Sequence, residues 1–150
     1  MSRTALLATA TAGLVLLGAA PATAAQTPTT PATIVTCGPS ALQAGLSTKV
    51  CAAVTGTNVQ LYGQISLAGP PSPGSTLPVK DLITTLSGGV VGGASLGAQT
   101  QTVRFQSTTT QVRGVSGTAP CGSTVHAEFA VSAFSSPPSG PAVLNVPVTC

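Results

Sequence analysis

Charge is nearly absent from this 150-residue chain, which holds five Lys and Arg, two Asp and Glu and one His. Large rings are scarce as well: there is no Trp, one Tyr and three Phe. Each shortage removes a class of function. Lys49, Lys80, Arg104 and Arg113 are scattered along the sequence. A nucleic-acid binder needs a basic footprint and, for single strands, aromatic platforms for stacking; both are missing. A glycosidase needs two carboxylates flanking its substrate, and nothing in the sequence brings Asp81 and Glu128, the only two acids, together. With few rings available, Val, Ile, Leu and Ala must build the core.

The chain opens as an export signal. Arg3 supplies positive charge, residues 5–20 are apolar, and Pro21 ends the run before Ala22-Thr23-Ala24, a small-x-small cleavage pattern. The run is shorter than the roughly 18–20 residues that span a bilayer, so a cleaved signal over 1–25 is expected rather than an anchor. Cleavage there leaves 125 residues, one domain's worth. Residues 26–31, "QTPTTP", read as a disordered or extended leader, and residues 32–150 as a single domain with no further membrane span.

All four cysteines, Cys37, Cys51, Cys121 and Cys150, lie in that domain. An even count in an exported chain implies two disulfides. Three pairings exist. Neighbours in sequence meet most easily, which favours Cys37–Cys51 with Cys121–Cys150; the rival is Cys51–Cys121 with Cys37–Cys150. Strand phase places Cys121 with Val125 and Phe129, and Cys150 with Val146 and Val148, so both should point inward if their strands run regularly to the ends.

Apolar residues alternate with a period of two over most of the domain. Residues 32–37, 48–55, 58–69, 102–106, 110–117, 123–134 and 142–150 read as strands, and 79–89 reads as a strand more than as a helix because of its β-branched content. Residues 38–47 read as a turn-rich link and 90–99 as a weakly structured glycine-rich stretch. Gly63, on an apolar face, marks a bulge or the close approach of another segment. Pro147 points to an edge position or a bulge. Turns recur every 8–14 residues, and the loops 69–78 and 135–141 are rich in proline. The expected fold is all-β: an immunoglobulin-like Greek-key β-sandwich of seven or eight strands with two disulfides.

Several stretches imitate catalytic motifs. "HAE", His126 to Glu128, opens the zinc deaminase signature H-x-E…P-C-x-x-C. Its second half is missing, because Pro120-Cys121 precedes it and continues Gly-Ser-Thr. "GASLG", Gly93 to Gly97, matches the G-x-S-x-G nucleophile elbow, which needs a strand–turn–helix context and the order Ser, acid, His. No acid lies between Ser95 and His126. A convergent arrangement of Ser95, His126 and Asp81 or Glu128 is the only hydrolytic reading left. The glycines of 87–97 lack the residues of a phosphate loop. On a strand, His126 and Glu128 share a face opposite Val125 and Phe129, so both should point to solvent.

The composition, rich in Ala, Gly, Thr and Val, together with the export signal, resembles the small secreted β-sandwich proteins of high-GC actinomycetes. The chain is similar in size and small-residue content to the enediyne-binding apoproteins, a resemblance that implies an immunoglobulin-like sandwich with two disulfides; the aromatics that line their ligand cleft are scarce here. "TCGPSALQAGLSTKVCA" (36–52) resembles the first cystine loop of the actinomycete subtilisin inhibitors. Their reactive loop follows a later Cys-Pro, whereas Cys121 is followed by Gly122, so no reactive-site residue carries over.

The function expected is non-catalytic: a monomeric binding or structural module, without cofactor, for an extracellular protein or envelope component. The rigid loops holding Pro70, Pro71, Pro73, Pro137 and Pro138 are its expected contacts. An inhibitor of secreted hydrolases is the alternative, and a small hydrolase using Ser95 the third reading.

Overall fold

The computed structural model describes residues 31–77, 79–134 and 139–150. The expected signal, nearly all of the leader, and Pro137 and Pro138 lie outside them. The described residues form nine strands: β1 (Thr33–Cys37), β2 (Ala41–Gln43), β3 (Leu46–Thr55), β4 (Asn58–Leu67), β5 (Lys80–Val90), β6 (Ser95–Phe105), β7 (Thr109–Thr118), β8 (Thr124–Ala133) and β9 (Ala142–Pro147). All pairings are antiparallel. One sheet runs β1-β3-β4-β7, with β2 also paired to β3; the other runs β6-β5-β8-β9. The two sheets pack face to face as a β-sandwich, as the alternation requires. The chain changes sheet between β4 and β5, between β6 and β7, and between β7 and β8.

Two stretches differ from the sequence expectation, which accounts for the ninth strand. The supposed link 38–47 contains β2 and the start of β3, joined through Ala44 (φ 50°) and Gly45 (φ 75°). Two successive positive φ values make the I′ geometry that suits hairpin twist, and Ala is an unusual residue for it. The glycine-rich 90–99 contains a turn and the start of β6. A register shift between Gly88 and Gly89 absorbs the extra residue opposite them.

The buried face is aliphatic, with Val50, Leu61, Ile65, Leu82, Leu86 and Val125 closed around two rings, Phe105 and Phe129. Each fully buried side chain of this kind is worth about 1.5–3 kcal/mol. Two glycines let the sheets interdigitate. A Cβ on Gly63 of β4 would overlap the Phe129 ring of β8, and a Cβ on Gly88 of β5 would overlap Leu61 of β4. Gly63 is therefore the close approach that its position on an apolar face implied.

One polar side chain is built into this interior. Gln43 is 1% exposed. Its Nε2 donates to Thr48 Oγ1 (2.7 Å) and to the Phe129 carbonyl (3.1 Å), and its Oε1 accepts from the Val131 amide (2.6 Å). The β8–β9 ladder stops at Phe129–Ala142. Gln43 thus continues that edge of β8 with a side-chain amide in place of a strand, and it ties one sheet to the other.

Register sorts the loops into two poles. Leu46 pairs with Leu67, Lys80 with Phe105, Leu82 with Ala133 and Ser66 with Thr109. The β2–β3 turn and the β4–β5, β6–β7 and β8–β9 connections therefore share one pole. The β3–β4, β5–β6 and β7–β8 turns share the other, together with Thr33 and Cys150.

Candidate functional site

The first pole carries the loop expected to make contacts. Pro70, Pro71 and Pro73 are exposed there. At the loop tip, Ser75 donates to the Ser72 carbonyl through its backbone N–H (3.0 Å) and its hydroxyl (2.7 Å), and Gly74 lies at φ 77°. Pro followed by Gly at positive φ is the type II pattern, which holds the tip without strain. Sequence reasoning missed the apolar residues at this pole: Leu77 is 37% exposed, Val79 57% and Phe134 75%. Phe134 follows the last residue of β8, and Val79 precedes the first residue of β5, its partner strand. Strand phase could have found Phe134, which falls out of phase with Val131 and Ala133, on the outward side with His126 and Glu128. Across this pole, Lys80 Nζ donates to the Ala44 carbonyl (2.9 Å), joining the start of β5 to the β2–β3 turn.

The His126–Glu128 pair lies elsewhere, on the outer face of the second sheet. Both side chains point away from the core and are 42% and 47% exposed. Their geometry is more ordered than plain strand surface. His126 Nδ1 is 2.8 Å from Asn145 Oδ1 on β9, and Nε2 is 3.1 Å from Glu128 Oε1. Two oxygen acceptors favour a ring that donates from both nitrogens, so the imidazole pKa is raised above its ordinary 6.5, first by the Asn145 hydrogen bond and then by that to Glu128. Asn145 was not legible beforehand, since only the β8–β9 register brings it opposite His126.

This arrangement does not form a triad with Ser95. Both ring nitrogens are engaged by Asn145 and Glu128, and Ser95 Oγ accepts the Gly97 N–H at 3.1 Å. Gly89 separates Ser95 from His126 across the sheet, which places their backbones about 10 Å apart, two strand spacings. Gly93 to Gly97 is a turn entering a strand, not a strand entering a helix. Asp81 sits at the far end of β5, 3.9 Å from exposed Arg104 Nε. Among the described residues, no three His, Cys, Asp or Glu side chains gather as metal ligands.

All four cysteines are oxidised, as Cys37–Cys51 and Cys121–Cys150. Cys37 and Cys51 face each other directly across β1 and β3, with Cα atoms 4.0 Å apart. Cys51 is fully buried even though it lies on the outer face of its sheet. The inward orientation expected for Cys121 and Cys150 is corrected: both are exposed. The reason is local. A turn around Gly122 (φ 80°) interrupts the phase before β8 begins, and β9 ends at Pro147. Two disulfides require an oxidising compartment for folding. Among the described residues, no helix is long and apolar enough to cross a membrane.

Comparison with protein-family models, with curated proteins and with solved structures finds no match to the chain.

Proposed function

We propose that the chain is an exported, monomeric, non-catalytic binding module of the extracellular space or cell envelope, and that its contact surface is the pole bearing residues 68–77, Val79 and Phe134. The observation that carries this reading is the exposure of Leu77, Val79 and Phe134 beside a proline-fixed loop, at the pole away from Thr33 and Cys150. Rigid loops lose little entropy on binding, and exposed apolar groups gathered at one end mark a contact surface more than scattered ones do. The oxidised cysteines agree with export directed by residues 1–25. The strand orders and the three changes of sheet agree with an immunoglobulin-like Greek-key layout. No cofactor enters this reading. Its partner is an extracellular protein or an envelope component.

The test is affinity capture from the producing organism's envelope and medium with the full chain and with a Val79→Ser/Phe134→Ser variant, read by mass spectrometry. Wild type captures a partner that the variant loses. Equal capture by both sinks the assignment of the pole. The hydrogen-bonded tip at Ser72–Ser75 favours a second reading, inhibition of a secreted hydrolase by a protruding loop. Assays against secreted proteases and amylases decide it: no inhibition at micromolar concentration removes it.

A further inference from the structure

The outer face of the β1-β3-β4-β7 sheet carries a second surface, distinct from the loop pole. Four cations scattered in sequence gave no basic patch, yet the fold brings Lys49 and Arg113 onto this one face. Lys49 pairs with Gln64, Gln64 with Gln111, and Tyr62 with Arg113, so two adjacent rows across three strands hold both cations. Both acids of the chain, Asp81 and Glu128, lie on the opposite sheet. The Arg113 guanidinium sits 5.8 Å from the centroid of Tyr62, the only tyrosine, and its Nη2 donates to Gln111 Oε1 at 3.3 Å. The Cys37–Cys51 bridge ends the Tyr62 row, which makes the centre of the face a covalently fixed platform.

Beyond Tyr62, toward the β3–β4 turn, the same face hollows into a shallow groove of about 400 Å³. Hydroxyl and amide groups of Thr33, Thr55, Asn58, Gln60, Ser116 and Thr118 line it among apolar atoms. The face therefore joins three kinds of contact in one run of strands. Hydroxyls and amides offer donors and acceptors in a groove, a ring offers a flat apolar surface, and two cations sit without a neighbouring carboxylate side chain. A chain that is rich in hydroxyls, has apolar sugar faces and carries negative charge complements all three. We infer that this face binds an acidic polysaccharide, with sugar hydroxyls along the threonine-lined groove, a sugar face on Tyr62 and carboxylates on Arg113 and Lys49. The strands bearing the two cations lie about 10 Å apart, on either side of β4, so successive charges of one bound chain can reach both.

The test is retardation of the full chain in native gels containing dissolved polygalacturonate, with dextran as the neutral polysaccharide and polyphosphate as a polyanion without sugar. Polygalacturonate retards the wild type, and added salt weakens the effect, as expected for exposed charges. Arg113→Gln and Lys49→Gln each lower affinity roughly 3- to 10-fold, and Tyr62→Ala by about as much. Arg104→Gln, on the opposite sheet, changes nothing. The two charge variants are surface changes that keep the fold, so they carry the test even if Tyr62→Ala unfolds. Absence of retardation overturns the proposal. So does retardation by dextran or polyphosphate equal to that by polygalacturonate, or a loss in Arg104→Gln matching that in Arg113→Gln.

Discussion

Gln43 shows how one side chain can decide whether two sheets stay together. Its amide bonds the Phe129 carbonyl, where the β8–β9 ladder ends, and the Val131 N–H, which no strand reaches. In Gln43→Leu the Val131 N–H stays buried without a partner, at about 1–3 kcal/mol. The expected loss in urea unfolding is therefore about 1–3 kcal/mol, more than the change in apolar volume implies. A loss below 1 kcal/mol would show that β8 rearranges to find other partners. Nothing in the sequence pointed to this residue. A glutamine within "ALQAG" reads as turn polarity, and its partners lie 86 and 88 residues away.

At the same scale, His126 links stability to pH. Its pKa is raised in the folded state, so the protonated form is the one that folding favours. That contribution is fully present below about pH 6.5, the unfolded value, and is lost as pH rises through the higher folded value. Exposure and screening keep it under about 1 kcal/mol. Thermal unfolding of the wild type should thus fall slightly in temperature between pH 6 and pH 8. In His126→Gln that slope should flatten; an unchanged slope assigns it to another group. The outward direction of His126 and Glu128 followed from strand phase alone, whereas the bond to Asn145 needed the register of a strand far along the chain.

Among the elements, the long strands were legible because each repeats an apolar residue every second position against polar neighbours, as in β4 and β8. The short β2 was not, for it has three residues and its inward side chain is polar. Nor was the first part of β6, ahead of the expected strand at 102–106, because its inward phase holds half-buried Gly97, Gln99 and Gln101 before it reaches Val103 and Phe105. Gln99 and Gln101 face β7 rather than the aliphatic core. Gln99 lies on Gly114, the residue left over at the β4–β7 bulge, and Gln101 Nε2 donates to the Arg113 carbonyl at 3.3 Å. Glycine on an inner face proved informative instead. Gly63→Ala places a methyl group in the Phe129 ring, and overpacking of this kind costs about 1–3 kcal/mol. Chemical denaturation should show that loss, and Phe129→Leu in the same chain should recover part of it. No recovery would mean that the strain lies in the β4 backbone.

For the whole molecule, the disulfides divide the work unequally. In the chain-entropy model the separations of 14 and 29 residues correspond to about 3 and 3.6 kcal/mol. The bridge that contributes more is also the more accessible one. Cys121 and Cys150 are both exposed, whereas Cys51 is fully buried. Under limiting reductant, alkylation followed by mass mapping should find Cys121 and Cys150 labelled first, with the unfolding temperature falling at that step. Earlier labelling of Cys37 and Cys51 would show that β1 detaches while the sandwich is intact. The fold class was legible at this scale because turn spacing and alternation are properties of the entire chain. The surfaces were not, because a pole and a sheet face are assembled from residues that only register brings together.

The amide joint at Gln43 also sets which positions are free to vary. It grips backbone atoms of β8, so it does not depend on the identities of the side chains at Phe129 and Val131, which answer only to the core they fill. Position 43 has no such latitude, since few other side chains offer a donor and an acceptor at that reach. A deep substitution library selected for folding should therefore hold Gln43 as tightly as any aliphatic core residue, while Val131 trades among aliphatics. The least hydrophobic buried position would be the least replaceable one.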